Sequence, residues 1–378
     1  MLKTKKHIAF LSGTRADFGK IKSLIQILEN TEHFVPHIFV TGMHLQHEYG
    51  YTLIEIERSG FKNIHTFSNH TNEMTMDLTL AKTIQGFSNF IKNVKPDLIV
   101  IHGDRVEALA GAIVGSLNNI LVAHIEGGEV SGTIDELIRH STSKMSHIHF
   151  VANELAQKRL IQMGELKESI KIIGSPDIDI MFSNHLPSLK EAKSYYDITF
   201  EKFAVAMFHP VTTEHAQMKT HAKHFVDALL ASDENVIVIY PNNDLGSKDI
   251  LLEYKRLENN LRFRVFPSLR FEYFLVLLEH SKFIIGNSSA GIREAPLYGI
   301  PTINIGSRQE NRAVHSHIVN TAYDAEHILN AIKNLPKNIE LSKYDFGSGN
   351  SAQQFLEALN SEALWTINHQ KQFVDIQS

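Results

Sequence analysis

The sequence predicts an α/β protein made of two doubly wound domains, and three observations lead there. Short apolar runs alternate with longer stretches of helical periodicity, which reads as βαβ units on a mostly parallel sheet. The alternation occurs twice, on either side of IIGSPDIDIMFSNHLPSL, where Pro176 and Pro187 interrupt it. A chain of 378 residues also exceeds what one compact core ordinarily organises.

Taken in order, the first half predicts strands at 7–12, 35–41, 97–102, 120–125, 148–152 and 170–173. Helices are expected between them at 19–28, 78–94, 106–116, 134–145 and 154–163. The second half predicts strands at 203–208, 236–240, 263–266, 283–285 and 302–305, with helices at 214–230, 271–279 and 292–298. A last segment, 352–373, reads as a final helix that packs on either domain. Doubly wound sheets take ligands at the carboxyl ends of their strands, so two such domains are expected to face each other across a ligand-binding cleft.

Composition removes several classes of function. With a formal charge of -5 and no massed basic tract, nucleic-acid binding has no footprint. The chain has no cysteine, which removes disulfides, thiolate metal sites and thiol nucleophiles. The apolar run 8–11 is too short for a signal peptide, and no stretch reaches membrane-spanning length. A cytoplasmic protein is expected. The 22 histidines include His147-x-His149 and His315-x-His317, but neither pair has the companion ligands of a zinc site, and no metal is expected.

Chemistry gathers at predicted strand ends. In FLSGTRADFGK a strand leads through a glycine turn to a helix, with Arg15 and Lys20 beside its start; N–H groups and two cations suit an anion. The alternative is a solvated turn with two surface cations. The turn has neither the dinucleotide nor the P-loop glycine spacing. GNSSAGIREAP is the counterpart in the second half: small residues around Ser288 and Ser289 admit a diphosphate, and Glu294 can accept from sugar hydroxyls. Its alternative is a small-residue helix cap with no ligand.

LIVIHGDR ends an apolar strand in His102 and Asp104, and HIEGGE repeats the arrangement one βα unit later with His124 and Glu126. Alone, Asp104 reads as a cap for the helix that follows. Together the two motifs bring both acids to one sheet edge, and Asp135 opens the next helix. Three carboxylates near an anion site repel the anion unless they move protons or hold hydroxyl groups. In the second half, His209 of AMFHPVTTE and Asn242 of YPNND end strands in the same manner.

Together GTRADFGK, TGMH, HGDR, HIEGGE, GSPD, FHPVTTE, YPNND and GNSSAGIREAPLYG resemble the UDP-N-acetylglucosamine 2-epimerase family over nearly the whole chain, most of all its hydrolysing bacterial branch, which forms N-acetylmannosamine for sialic acid synthesis. The resemblance implies a glycosyltransferase-B fold: Rossmann-like domains at 1–180 and 181–355, and a helix at 356–378 that returns to the first. It implies UDP-N-acetylglucosamine as substrate, UDP as product, no cofactor and a homodimer or homotetramer. It places catalytic acids on Asp104, Glu126 and Asp135, and a diphosphate-side histidine on His209. The nucleotide-sugar contacts fall on Arg15, Lys20, Ser288, Ser289, Glu294 and Arg312.

Non-hydrolysing relatives resemble HVEAGLR where this chain reads HIEGGEV, HRREN where it reads HPVTTE, and have Glu in place of Asp135. A shorter acid and an altered loop suit entry of water. Two rivals stand beside this reading. One is a hydrolysing 2-epimerase of UDP-N,N'-diacetylbacillosamine, separated by one acetamido group. The other is a glycosyltransferase or non-catalytic UDP-sugar sensor on the same scaffold.

Overall fold

The computed structural model describes residues 4–71, 75–309, 317–336 and 346–375; Arg312 and His315 lie outside the described residues. The chain forms two compact units. One comprises Met1–Glu129, Asp135–Asn184 and Asp345–Ser378, the other Val130–Ile134 and His185–Tyr344. The short piece Val130–Ile134, inside the glycine-rich loop after Glu129, clusters with the second unit, and no feature of the sequence marks it for that.

In the first unit seven strands form one parallel sheet: β1 (Lys6–Ser12), β2 (Phe34–Val40), β3 (Ile64–Thr66), β4 (Leu98–His102), β5 (Leu121–Ile125), β6 (Ile148–Val151) and β7 (Ile170–Ile172). Their spatial order is β3-β2-β1-β4-β5-β6-β7, so the winding reverses between β1 and β4. The central strands are mostly apolar because both faces are covered. Ile8 and Phe10 belong to one buried cluster, Ala9 and Leu11 to the other. The helix Ser351–Asn360 completes the first cluster, with Phe355 edge-on to Phe150 at 4.9 Å between ring centroids.

The second unit repeats the scheme with β8 (Ala204–Met207), β9 (Val236–Ile239), β10 (Phe263–Phe266), β11 (Ile284–Gly286), β12 (Thr302–Ile305) and β13 (Ile318–Thr321). Here the order is β10-β9-β8-β11-β12-β13, again all parallel, and the winding reverses between β8 and β11. At that reversal Gly286 takes φ 134°, and a Cβ there would lie 1.9 Å from the Met207 carbonyl oxygen. Only glycine fits.

Several elements depart from the sequence reading. The first helix begins at Arg15, not 19, because Thr14 and Asp17 form a reciprocal capping box. The segment read as an interruption contains the helix Pro176–Met181, whose proline occupies the first turn, where its missing N–H costs nothing. The stretch 214–230 divides into a 3-10 turn, Thr212–Gln217, and a helix, Met218–Ala231. In place of a helix at 292–298 there is a 3-10 turn, Ser289–Gly291, and a short helix, Glu294–Leu297. The final helix is interrupted at Ser361 and ends at Trp365, short of 373. Among the described residues no helix is long and apolar enough to cross a membrane.

Candidate active site

The carboxyl ends of β4 and β5 carry the first unit's acids. Glu126 follows β5 directly, is 3% exposed and takes φ 63°. A left-handed backbone at a residue with a Cβ costs about 1–3 kcal/mol, so neighbouring bonds must hold it. They do so on both sides: Glu126 N donates to Phe150 O at 3.0 Å, and Arg139 Nη1 donates to the Glu126 carbonyl at 2.6 Å.

Arg139, itself 2% exposed, donates through Nη2 to the Asp104 carboxylate. One guanidinium therefore spans Asp104 and the Glu126 backbone. The motif read as a possible helix cap serves otherwise: Arg105 is the N-cap of the helix Val106–Leu117, and Asp104 pairs with Arg139. Asp135 lies in the first turn of the helix Ile134–Met145, partly buried. It precedes Arg139 by four residues and so shares its helix face.

The Glu126 carboxylate is densely supported. Ser175 donates its hydroxyl to Oε1, Lys20 Nζ lies 3.4 Å from each oxygen, and His102 Nε2 is 3.2 Å from Oε2. Lys20 also lies 3.4 Å from Asp177. The two cations read from the first turn thus have protein partners: Lys20 bridges Glu126 and Asp177, and Arg15 pairs with Glu55.

His124, two residues before Glu126, is fully buried. Its Nε2 is 2.7 Å from the Gly103 carbonyl and therefore carries the proton, while Nδ1, 2.9 Å away, accepts from Ser143. Burial, with Arg139, His149 and His102 adding to it, pushes this imidazole down to about 3, so it is neutral and braces the turn before Asp104.

In the second unit the chain ends of β8, β9 and β11 converge through Asn287, which was not singled out from the sequence. Its side-chain oxygen accepts from His209 N at 2.6 Å, and its amide donates to His209 O at 2.8 Å. His209 Nδ1 accepts from Asn242 N at 3.0 Å, which leaves Nε2 as the proton-bearing nitrogen of the neutral ring. The Asn242 amide donates to Asp244. Ser288 caps the turn Ser289–Gly291, accepting from Ala290 N at 3.3 Å, and Glu294 is buried just beyond it. The structure thus joins Asp104 with Glu126 and Lys20 in the first unit, and His209 with Asn242 in the second. Arg139, Ser175, Asp177 and Asn287 are the partners that sequence reasoning left out, while His102, read beside Asp104, lies against Glu126. Among the described residues no group of three or more His, Asp or Glu side chains is arranged to hold a metal ion.

Comparison with known proteins agrees with this architecture. Residues 26–360 match the family model described as UDP-N-acetylglucosamine 2-epimerase. A UDP-N-acetylglucosamine 2-epimerase of Neisseria meningitidis serogroup B is 48% identical over 98% of this chain and 99% of its own length. A UDP-N,N'-diacetylbacillosamine 2-epimerase (hydrolyzing) of Legionella pneumophila is 32% identical over 94% and 96%. The fold is similar to the crystal structure of UDP-GlcNAc 2-epimerase from Neisseria meningitidis bound to UDP-GlcNAc, with a TM-score of 0.76 at 16% identity, covering 93% of this chain and 99% of that one. Two doubly wound parallel sheets with helices, acids at the ends of adjoining strands and this agreement over nearly the full length lead to one conclusion: the chain belongs to the UDP-N-acetylglucosamine 2-epimerase family.

Proposed function

We propose that the protein hydrolyses UDP-N-acetylglucosamine with inversion at C2, giving N-acetylmannosamine and UDP. The observation that carries the reading is the pairing of Asp104 with Glu126 through Arg139, beside a Glu126 carboxylate held by Ser175 and Lys20. A pure sensor of UDP-sugars has no use for acids so placed. In the first step a carboxylate takes the C2 proton, the bond from C1 to the UDP oxygen breaks, and UDP leaves with the electron pair, giving 2-acetamidoglucal. Water then adds its oxygen to C1 while a proton returns to C2 on the opposite face. Asp104, Glu126 and Asp135 share these proton transfers and the stabilisation of positive charge at C1.

His209 is assigned to the departing diphosphate. Asn242, Ser288, Ser289 and Glu294 are assigned to the nucleotide, and Arg312 to the uridine side. Arg15 and Lys20 complement the substrate's negative charge, Lys20 while also supporting Glu126. Only protons, water and UDP enter the balance, so no redox cofactor is required. The hydrolysing outcome is supported by HIEGGEV and by Asp135, and by the Legionella relative whose name carries it. That same relative keeps UDP-N,N'-diacetylbacillosamine as the second substrate to test, by comparing turnover on both sugars.

Incubation with UDP-N-acetylglucosamine in deuterated water is the direct experiment. Free N-acetylmannosamine carrying deuterium at C2, with one UDP per sugar, is the expected product. Recovery of UDP-N-acetylmannosamine alone excludes hydrolysis.

A further inference from the structure

The sequence GSPDID, which reads as part of a linker, meets the first unit's acids. Ser175 is the N-cap residue of the helix Pro176–Met181 and is fully buried, yet its hydroxyl makes no capping bond to that helix. Serine at this position ordinarily satisfies a first-turn N–H. Here the hydroxyl is turned instead to Glu126 Oε1. The first-turn N–H of Ile178 is met instead by the Ser175 carbonyl at 3.0 Å and by Asp177 Oδ1 at 3.1 Å, so the hydroxyl can serve Glu126.

The surroundings fix the serine. Its N–H donates to the Phe346 carbonyl at 2.6 Å, where the returning C-terminal segment passes over it. Gly174 takes φ 81°, and a Cβ on it would lie 3.1 Å from Gly347 Cα, so the two backbones are in close contact. Further along the same helix Asp179 accepts from Ser351 N at 2.9 Å and Ala352 N at 2.8 Å, tying this segment to the start of the Ser351–Asn360 helix. Asp177, between them, shares Lys20 with Glu126.

We propose that Ser175 is a positioning residue: its hydroxyl, donated to Oε1, fixes the rotamer of the Glu126 carboxylate for proton exchange with the sugar. The inference rests on the proposed reaction, in which Glu126 is a proton-transfer group. Ser175 does this without changing the charge of the site, which a second lysine would not. Holding a reacting group within a fraction of an ångström of its productive geometry acts on the chemical step more than on binding.

The experiment compares the full-length wild type with Ser175→Ala and Ser175→Thr. In Ser175→Ala, kcat is expected to fall about 10- to 100-fold while KM stays within about threefold. The acid limb of the kcat profile moves to higher pH, because a carboxylate that loses a donor takes up a proton more readily. Ser175→Thr, which keeps the hydroxyl, recovers most of kcat and the original limb. The hydroxyl caps no helix, so Ser175→Ala loses only one buried bond to a charged group, about 1.5–3 kcal/mol, and is expected to remain folded at the assay temperature. A wild-type kcat and pH profile in Ser175→Ala overturns the inference alone. So does a loss that follows the melting temperature in both variants and is not restored by threonine. A wild-type protein inert towards UDP-N-acetylglucosamine overturns the proposed reaction and this inference with it.

Discussion

At the scale of single residues, the first unit's site depends on groups whose charge is set by burial. His124 is the clearest case. Its imidazole titrates near 6.5 in the unfolded chain and is pushed down to about 3 when folded, chiefly by burial. Protonation therefore favours the unfolded chain. The stability that the neutral ring contributes is complete above pH 6.5 and is withdrawn as pH falls from 6.5 towards 3, at up to about 1.4 kcal/mol per pH unit. His124→Gln keeps an amide to donate to Gly103 and does not titrate. Urea unfolding at a series of pH values within that window should show a flatter dependence in the variant, by close to one proton. An unchanged slope would mean that another group governs acid sensitivity there.

At the scale of elements, Lys371 is the main charged anchor of the C-terminal strap that follows Trp365, beside the His369 contacts with His147 and Asn119. Lys371 Nζ donates to Lys144 O at 2.9 Å, Ser146 O at 2.6 Å and Glu165 Oε2 at 2.6 Å. Glu165 also accepts from Lys144 at 3.1 Å and lies 2.9 Å from His149. Burial opposes ionisation of Glu165, but the His149 and Lys371 contacts outweigh it and hold the carboxyl at about 2, below its ordinary 4.5. Its contribution is thus present above pH 4.5 and is lost as pH falls from there towards 2. Lys371→Met removes three charge-assisted bonds while keeping the stem. We expect a loss of about 1–3 kcal/mol in urea unfolding at neutral pH and faster proteolysis after Trp365. Wild-type resistance in both measurements would show that the strap is held by other contacts.

The same scale shows what the sequence makes legible. The strands Phe263–Phe266 and Thr302–Ile305 and the helices Ile134–Met145 and Phe271–Glu279 are read with their true bounds, since apolar period and flanking polar residues agree there. β3 and β13 escape because they are three- and four-residue edge strands with no buried residue and with His65, Asn320 and Thr321 among them. Asp104 and Glu126 are visible as carboxylates just past apolar runs, which is a local signal. Their partners are not local: Arg139 is 35 residues from Asp104, Lys20 is 106 from Glu126, and Ser175 is 49 from it. Only the strand order of the sheet brings such residues together, and no periodicity encodes a side chain's reach. Ser175 was hidden further by its place beside Pro176, where a break in the pattern reads as a linker rather than a helix start.

At the scale of the whole molecule, the proposed chemistry is divided between the units by residue type. Asp104 and Glu126, with Arg139 and Lys20, belong to the first unit, while His209, Asn242, Ser288, Ser289 and Glu294 belong to the second. Proton transfer and nucleotide binding should then be separable by mutation. Glu126→Gln and Asp104→Asn remove an exchangeable carboxyl while nearly preserving shape, and general acid-base catalysis contributes about 10²–10⁴-fold. Turnover is expected to fall by that order while calorimetric UDP affinity stays within about twofold. Ser289→Ala removes a hydroxyl assigned to the diphosphate. A lost bond to a charged group, about 1.5–3 kcal/mol, predicts UDP binding weakened roughly 10- to 100-fold. The residual turnover of Ser289→Ala, measured at saturating substrate, should still place deuterium at C2. If Glu126→Gln weakened UDP as strongly as Ser289→Ala, the division would fail, because the carboxylate would then be a nucleotide contact and not a proton-transfer group.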